Sequence, residues 1–192
     1  MLLHCLRHGA SRANLAHRFN PEDDPLHEST LAELAVFGGL PERYDAVYVS
    51  PLVRAVQTAE GLGLGDWIVE PRIAERRLGA FCNLTAAECA ERYGDAFADF
   101  ARLEAEPAIP EGESRGAHLA RVLTWLEEAA TAHAGRVLAV THGGVIDFIY
   151  RMATERPLHG GEIFGGDNLT LSRFEVVWPR VRLVSLSEPL TP

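Results

Sequence analysis

Short apolar runs that stop abruptly at polar turn or helix-start residues constrain this chain more than any other feature. Leu2 to Leu6 ends at Arg7-His8-Gly9, Ala46-Val-Tyr-Val-Ser50 ends at Pro51, and Arg136-Val-Leu-Ala-Val-Thr141 ends at His142-Gly143-Gly144. Runs of this length, rich in β-branched residues and bounded by turn signals, read as buried strands. Helical patterns fall between them. Thr30-Leu-Ala-Glu33 is a capping-box pattern for a helix closed by Gly38-Gly39, and Ser50-Pro51 supplies an N-cap and first-turn proline for a helix over Leu52 to Glu60. Trp67 to Glu70 reads as a third short strand. A long helix is expected from Ser114 to about His133, with Leu119, Val122, Leu123 and Leu126 on one face, and another from Val145 to Met152. The tail, Leu169 to Val177 and Val181 to Leu186 around Trp178-Pro179, alternates as a hairpin does. This order predicts a three-layer α/β/α sandwich with a mostly parallel central sheet and an antiparallel C-terminal strand.

The 192 residues suit a single domain spanning 1–192. Residues 71–112 break the strand-helix rhythm: Thr85-Ala-Ala-Glu88 is a second capping box, a helical pattern continues from Tyr93 to Leu103, and Pro107 and Pro110 end it. They read as a mainly helical excursion that covers the active site.

Composition removes several functions. The formal net charge is −9 and no basic stripe tracks a nucleic-acid backbone, so no nucleic-acid partner is expected. All 18 basic residues are arginines. Without lysine there is no Walker-type phosphate loop, no pyridoxal Schiff base and no kinase strand lysine. Cys5, Cys82 and Cys89 form neither a disulfide framework nor a zinc-type spacing, which points to the reducing cytoplasm and to no metal or other cofactor. No apolar run of about 18 residues occurs, so no membrane partner is expected.

In a parallel α/β sheet, ligands bind beyond the carboxyl ends of the strands. Arg7, His8, Arg54 and His142 all fall just past presumed strand ends, so they converge on one crevice. That set suits phosphoryl transfer. A neutral imidazole approaches an anionic phosphomonoester without charge repulsion, and guanidinium forks match phosphate oxygens bidentately. Gly9 and Gly143 permit close backbone approach.

Leu6-Arg7-His8-Gly9, the run Ser50-Pro51-Leu52-x-Arg54-Ala55-x-Gln57-Thr58-Ala59, and Thr141-His142-Gly143 resemble the histidine phosphatase (phosphoglycerate mutase-like) superfamily. Ser11, Asn14, Pro25-Leu26, Glu75 with Leu78-Gly79, Gly112-Glu113-Ser114 and Asn168 extend the match in order. The resemblance implies the phosphoglycerate mutase-like fold and a metal-independent phosphomonoester hydrolase with a phosphohistidine intermediate at His8. It further implies that Arg7, Arg54 and His142 bind the phosphoryl oxygens, with His142 protonated or donating a hydrogen bond. Glu75 matches the family's proton donor, and Asn14 and Ser11 add neutral donors to the phosphate cradle. The substrate is then a small phosphomonoester of unspecified identity, and the oligomeric state is open.

Other readings compete. Mutase-type phosphoryl transfer is one, though no arginine-rich stretch for gripping a carboxylate matches. Ala10, Cys82 and Asn83 depart from the family pattern, which motivates a non-catalytic phospholigand-binding protein on the same fold. Gly112-Glu113-Ser114-Arg115-Gly116 fits a serine-esterase elbow, with Asp147 or Asp167 and His159 downstream. That elbow needs a preceding strand, which Glu106 to Glu111 cannot form, so Ser114 reads as a helix N-cap. The remaining histidines, His4, His17, His27, His118, His133 and His159, read as structural or surface residues.

Overall fold

The computed structural model describes residues 1–37, 39–104 and 109–190. Six strands form one sheet in the order β3-β2-β4-β1-β5-β6, where β1 is Leu2–Arg7, β2 Ala46–Val49, β3 Ile68–Val69, β4 Arg136–Thr141, β5 Thr170–Val177 and β6 Arg180–Pro189. The first four in that order are mutually parallel, and β5 is antiparallel to both β1 and β6. The predicted sheet is therefore present, with its C-terminal hairpin on one edge.

Alternation along the two central strands builds two cores. Leu3 and Cys5 of β1 and Val137 and Ala139 of β4 face α5 (Arg115–Ala132) and α6 (Gly143–Ala153), against Val122, Trp125, Leu126 and Ile146. Leu6, Leu138 and Val140 face the other way, onto α2 (Glu28–Leu34) and α3 (Val53–Gly61), against Leu34, Ala55 and Ala59. Every sheet residue in this set is fully buried, each large side chain contributing roughly 1.5–3 kcal/mol relative to exposure.

A third cluster lies within and beside residues 71–112. Phe81, Cys89 and Ile109 are buried against Phe19 and against Tyr93, Phe97 and Phe100 of α4 (Ala86–Ala101). Phe100 meets both Phe19 and Phe81 edge-on at 5.4 Å, a favoured aromatic geometry. Thr85 and Glu88 form the expected capping box. The predicted stops at Gly38 and Pro107 lie outside the described residues.

Three element starts differ from expectation, each for a local reason. Helix α2 begins at Glu28, because His27 is the N-cap and its Nδ1 accepts from Ser29 N, while Thr30 donates to the Ala10 carbonyl. Helix α3 begins at Val53 with Leu52 as its N-cap, and the Ser50 hydroxyl bonds Leu52 N and the His142 ring rather than an amide inside the helix. Helix α6 begins at Gly143, two residues early, with extended His142 at its N-cap. The third strand is only Ile68–Val69. Among the described residues no helix is long and apolar enough to cross a membrane.

Candidate active site

Three neighbouring strands end level with one another and set the site. Leu6 pairs with Val140, and Val49 of β2 pairs with the same Val140. Just beyond, His8 N donates to Thr141 O at 3.0 Å and Ser50 N donates to Val140 O at 3.0 Å. The next residues along these strands are therefore Ser50, His142 and His8, placed side by side. The His8 and His142 rings stand 4.9 Å apart at 55°.

Hydrogen bonds assign the His8 tautomer. Nδ1 lies 2.7 Å from the Gly9 carbonyl, which only accepts, so Nδ1 carries the proton. That leaves the lone pair on Nε2, to which Arg54 Nε donates at 3.3 Å. Burial, followed by the Arg54 charge, holds His8 well below the usual histidine range, so the ring is neutral and keeps a lone pair on Nε2. Asn168 donates to the His8 carbonyl at 2.8 Å and steadies the same turn.

His142 is held by Ser50. Nε2 lies 2.7 Å from Ser50 Oγ, which already accepts from Leu52 N. Giving the hydroxyl proton to Nε2 satisfies both groups and leaves the His142 proton on Nδ1, a buried atom with no protein partner. Burial, then Arg54, keeps this ring neutral too. A neutral imidazole in this tautomer still has one N–H to donate. Ser50→Ala is expected to lower kcat/KM about tenfold by freeing the tautomer, with Ser50→Thr retaining most activity. Steady-state kinetics on the two variants checks this, and equal losses in both would contradict it.

The two arginines approach from different elements. Arg7 ends β1 and donates to the Gly166 carbonyl through Nη1, while its Nε is buried without a partner. Arg54, on α3, is 1% exposed and also donates to Pro21 O at 2.9 Å. Burial works against both guanidinium charges and Glu75 works for them.

Glu75 reaches the site from the excursion. Its Oε2 accepts from Gly144 N at 3.0 Å at the start of α6, and its Oε1 accepts from Arg76 N at 2.9 Å. A Cβ on Gly144 would lie 2.3 Å from Oε1, so the carboxylate sits where only glycine leaves room. Gly144→Ala should therefore displace Glu75 and cost about a hundredfold in rate while the protein still folds. A rate within a factor of about two of wild type would show that the carboxylate position is not needed. Gly143 lies between Arg7 and Gly165, whose own Cβ would fall 2.5 Å from Gly143 Cα.

Ser11 and Asn14 are nearby but engaged. They form the capping box of α1 (Arg12–Leu15). Ser11 Oγ donates to Asn14 Oδ1, accepts from Asn14 N and from Asn20 Nδ2, and is fully buried, which uses its hydrogen-bonding capacity. Asn14 Nδ2 donates to Asn20 Oδ1.

A cavity of about 340 Å³ adjoins this group, walled by Arg7, Glu75, Arg76, Leu78, Phe100 and His118 among others. His8, Arg54 and His142 do not line it, being 3%, 1% and 0% exposed. Its rear wall is braced by a buried charge cluster. Asp147, fully buried, accepts from Arg115 Nη2 at 2.6 Å, Arg151 Nε at 2.9 Å and Phe164 N at 3.0 Å. This arrangement also answers the esterase reading: the Ser114 hydroxyl caps α5 by accepting from Ala117 N, and Asp147 serves arginines. Among the described residues no group of three or more His, Cys, Asp or Glu is placed to hold a metal.

Sequence reasoning missed Ser50 as a partner of His142, His118 as a wall residue and the Arg115–Asp147–Arg151 cluster. For Ser50 a signal existed: a serine directly after a strand parallel to the one ending in His142 must lie near it.

The family model for the histidine phosphatase superfamily (branch 1) matches residues 3–188. A metal-independent phosphoserine phosphatase of Arabidopsis thaliana is 34% identical over 160 residues, 78% of this chain and 67% of that protein. The structure of a mycobacterial glucosyl-3-phosphoglycerate phosphatase in complex with VO3 superposes with a TM-score of 0.80 at 26% identity, covering 97% of this chain and 98% of that one. A putative alpha-ribazole-5'-P phosphatase from Escherichia coli shares the fold, with a TM-score of 0.82 at 19% identity over 100% and 99% of the two chains.

Proposed function

Because the chain belongs to the histidine phosphatase superfamily, branch 1, we propose that its cleft hydrolyses small phosphomonoesters through a phosphohistidine at His8 Nε2. The observation that carries this reading is the His8 ring itself. It is neutral, with Nδ1–H locked on Gly9 O and the Nε2 lone pair turned to the Arg54 guanidinium.

Arg7, Arg54 and the Nδ1–H of His142 take the non-bridging oxygens of the substrate, which neutralises the charge that would repel a nucleophile. His8 Nε2 forms a bond to phosphorus as the ester P–O bond breaks, and Glu75 gives its proton to the departing alkoxide. Water then takes the alcohol's place, Glu75 accepts a proton from it, and the P–N bond breaks to release inorganic phosphate. Asn14 lends polarity to the cradle, Ser11 holds Asn14, and Gly143 lets the α6 N-terminus approach Arg7. Residues 71–112 act as the cover of a single-domain enzyme, contributing Glu75, Arg76, Leu78 and Phe100 to the cavity walls. The cavity volume suits a leaving group of metabolite size. The cysteines are unpaired, in keeping with a cytoplasmic place of action.

Phosphate release from a panel of small phosphomonoesters by protein dialysed against a chelator tests the reading. Full activity is expected. Activity lost on dialysis and restored by a divalent metal would overturn it.

A further inference from the structure

The wall of the cavity next to Glu75 contains a histidine that the reaction above does not use. His118 lies on the first turn of α5, is 1% exposed, and packs its ring edge-on against Phe148 at 5.0 Å. A Cβ built on Gly144 would meet both Glu75 Oε1 and, at 3.1 Å, His118 Cε1. The imidazole edge and the proposed proton donor thus face the same point of the α6 N-terminus. His118 Nε2 is buried and has no hydrogen-bond partner. A buried polar nitrogen left unpaired is costly, which makes a partner arriving with the substrate the economical explanation.

We propose that His118 is a specificity-determining residue, which hydrogen-bonds a hydroxyl on the carbon next to the ester carbon of the leaving group. The inference rests on the phosphatase reading. Glu75 must meet the ester oxygen to protonate it, so the first carbons of the leaving group pass beside the Gly144 backbone, where His118 lies. Burial, and then the charge of Arg121, lower this histidine to about 3, so the ring is neutral at any working pH. A neutral imidazole has one donor and one acceptor nitrogen. A hydroxyl both donates and accepts, so it satisfies whichever nitrogen faces it, whereas a carboxylate or an ammonium matches only one.

The test compares ethyl phosphate with hydroxyethyl phosphate. Wild-type protein is expected to favour the hydroxylated ester about tenfold in kcat/KM, and His118→Phe, which keeps the ring packing on Phe148, to abolish that preference, the ratio of the two kcat/KM values falling to about one. His118→Gln, with a neutral donor and acceptor, should restore part of the preference. A second measurement needs no variant: the ring nitrogen resonances of His118 should shift on titration with hydroxypropylphosphonate and stay put with propylphosphonate, which are non-hydrolysable mimics of the two esters. Equal wild-type rates for the esters, an undiminished preference in His118→Phe, or identical shifts with both phosphonates would each overturn the role of His118. Failure of wild type to release phosphate from either ester would overturn the phosphatase reading beneath it.

Discussion

His8→Ala is expected to lower turnover of any phosphomonoester by at least about 10⁴-fold, because the covalent route is removed rather than slowed. What remains is a cleft that still binds its anion. Arg7 on β1, Arg54 on α3 and the Nδ1–H of His142 come from three separate elements, and Arg54 keeps its bond to Pro21 O when the His8 ring is removed. Inorganic phosphate should therefore still bind to the variant, somewhat altered in affinity by the loss of the Arg54–His8 contact. The pairing of retained binding with lost turnover separates a missing nucleophile from a damaged fold. Steady-state kinetics and phosphate binding by calorimetry on the same preparation check it, and substantial turnover in the variant would contradict the assignment.

The second large effect is on stability in acid. His8, His118 and His142 are buried as neutral rings, and burial lowers all three; His4, hydrogen-bonded to the Tyr44 hydroxyl, is lowered to about 4 for the same reason, with Arg173 adding to it. In the unfolded chain each titrates near 6.5. Below that pH the unfolded state binds protons that the folded state refuses. The stability these groups contribute is therefore complete above 6.5 and declines as pH falls, continuing to about 4 for His4 and about 3 for His118. Each such group costs about 1.4 kcal/mol per pH unit while the pH lies between its unfolded and folded values, and the slopes of the buried rings add. Against a total stability of about 5–15 kcal/mol, that loss should be enough to unfold the protein in mild acid. Denaturant titrations at a series of pH values measure it, and a flat stability from pH 7 to 5 would show that these rings are already protonated when folded. Replacing His118 by Phe removes one of the protons and should flatten the slope by about a quarter to a third.

The parts of the molecule that could be read in the sequence are those fixed by local chemistry. Leu2–Arg7, Ala46–Val49 and Arg136–Thr141 are strands because short β-branched runs between turn residues have little alternative, and α5 starts at Arg115 because the Ser114 hydroxyl before it caps Ala117 N. Arg7, His8 and His142 fall at strand ends that a parallel sheet must bring together, and Arg54 stands in the first turn of the helix that follows β2, so their convergence followed from topology. What stayed hidden depends on where a polar side chain finds its partner. Ser50 looked like a helix cap, yet its hydroxyl pairs with His142, 92 residues away. Thr30 looked like another, yet it donates to Ala10 and leaves the capping to His27. The glycines after His142 looked like a turn before the helix, whereas they are its first residues, small because Glu75 and Gly165 press on them. His118 and Asp147 carry no local pattern at all. Their burial and their neighbours are set by the packing of α5 on α6 and the loop around Phe164, which no short window of sequence contains.

The nucleophile is the claim on which the rest depends, and a rapid-quench experiment with a phosphomonoester labelled in its phosphoryl group addresses it directly. Within the first turnover the protein should acquire label that is stable to base and labile to acid, located by peptide mapping at His8 and absent from His8→Ala. Label on another residue, or phosphate released at full rate with no labelled protein at any quench time, would contradict the account.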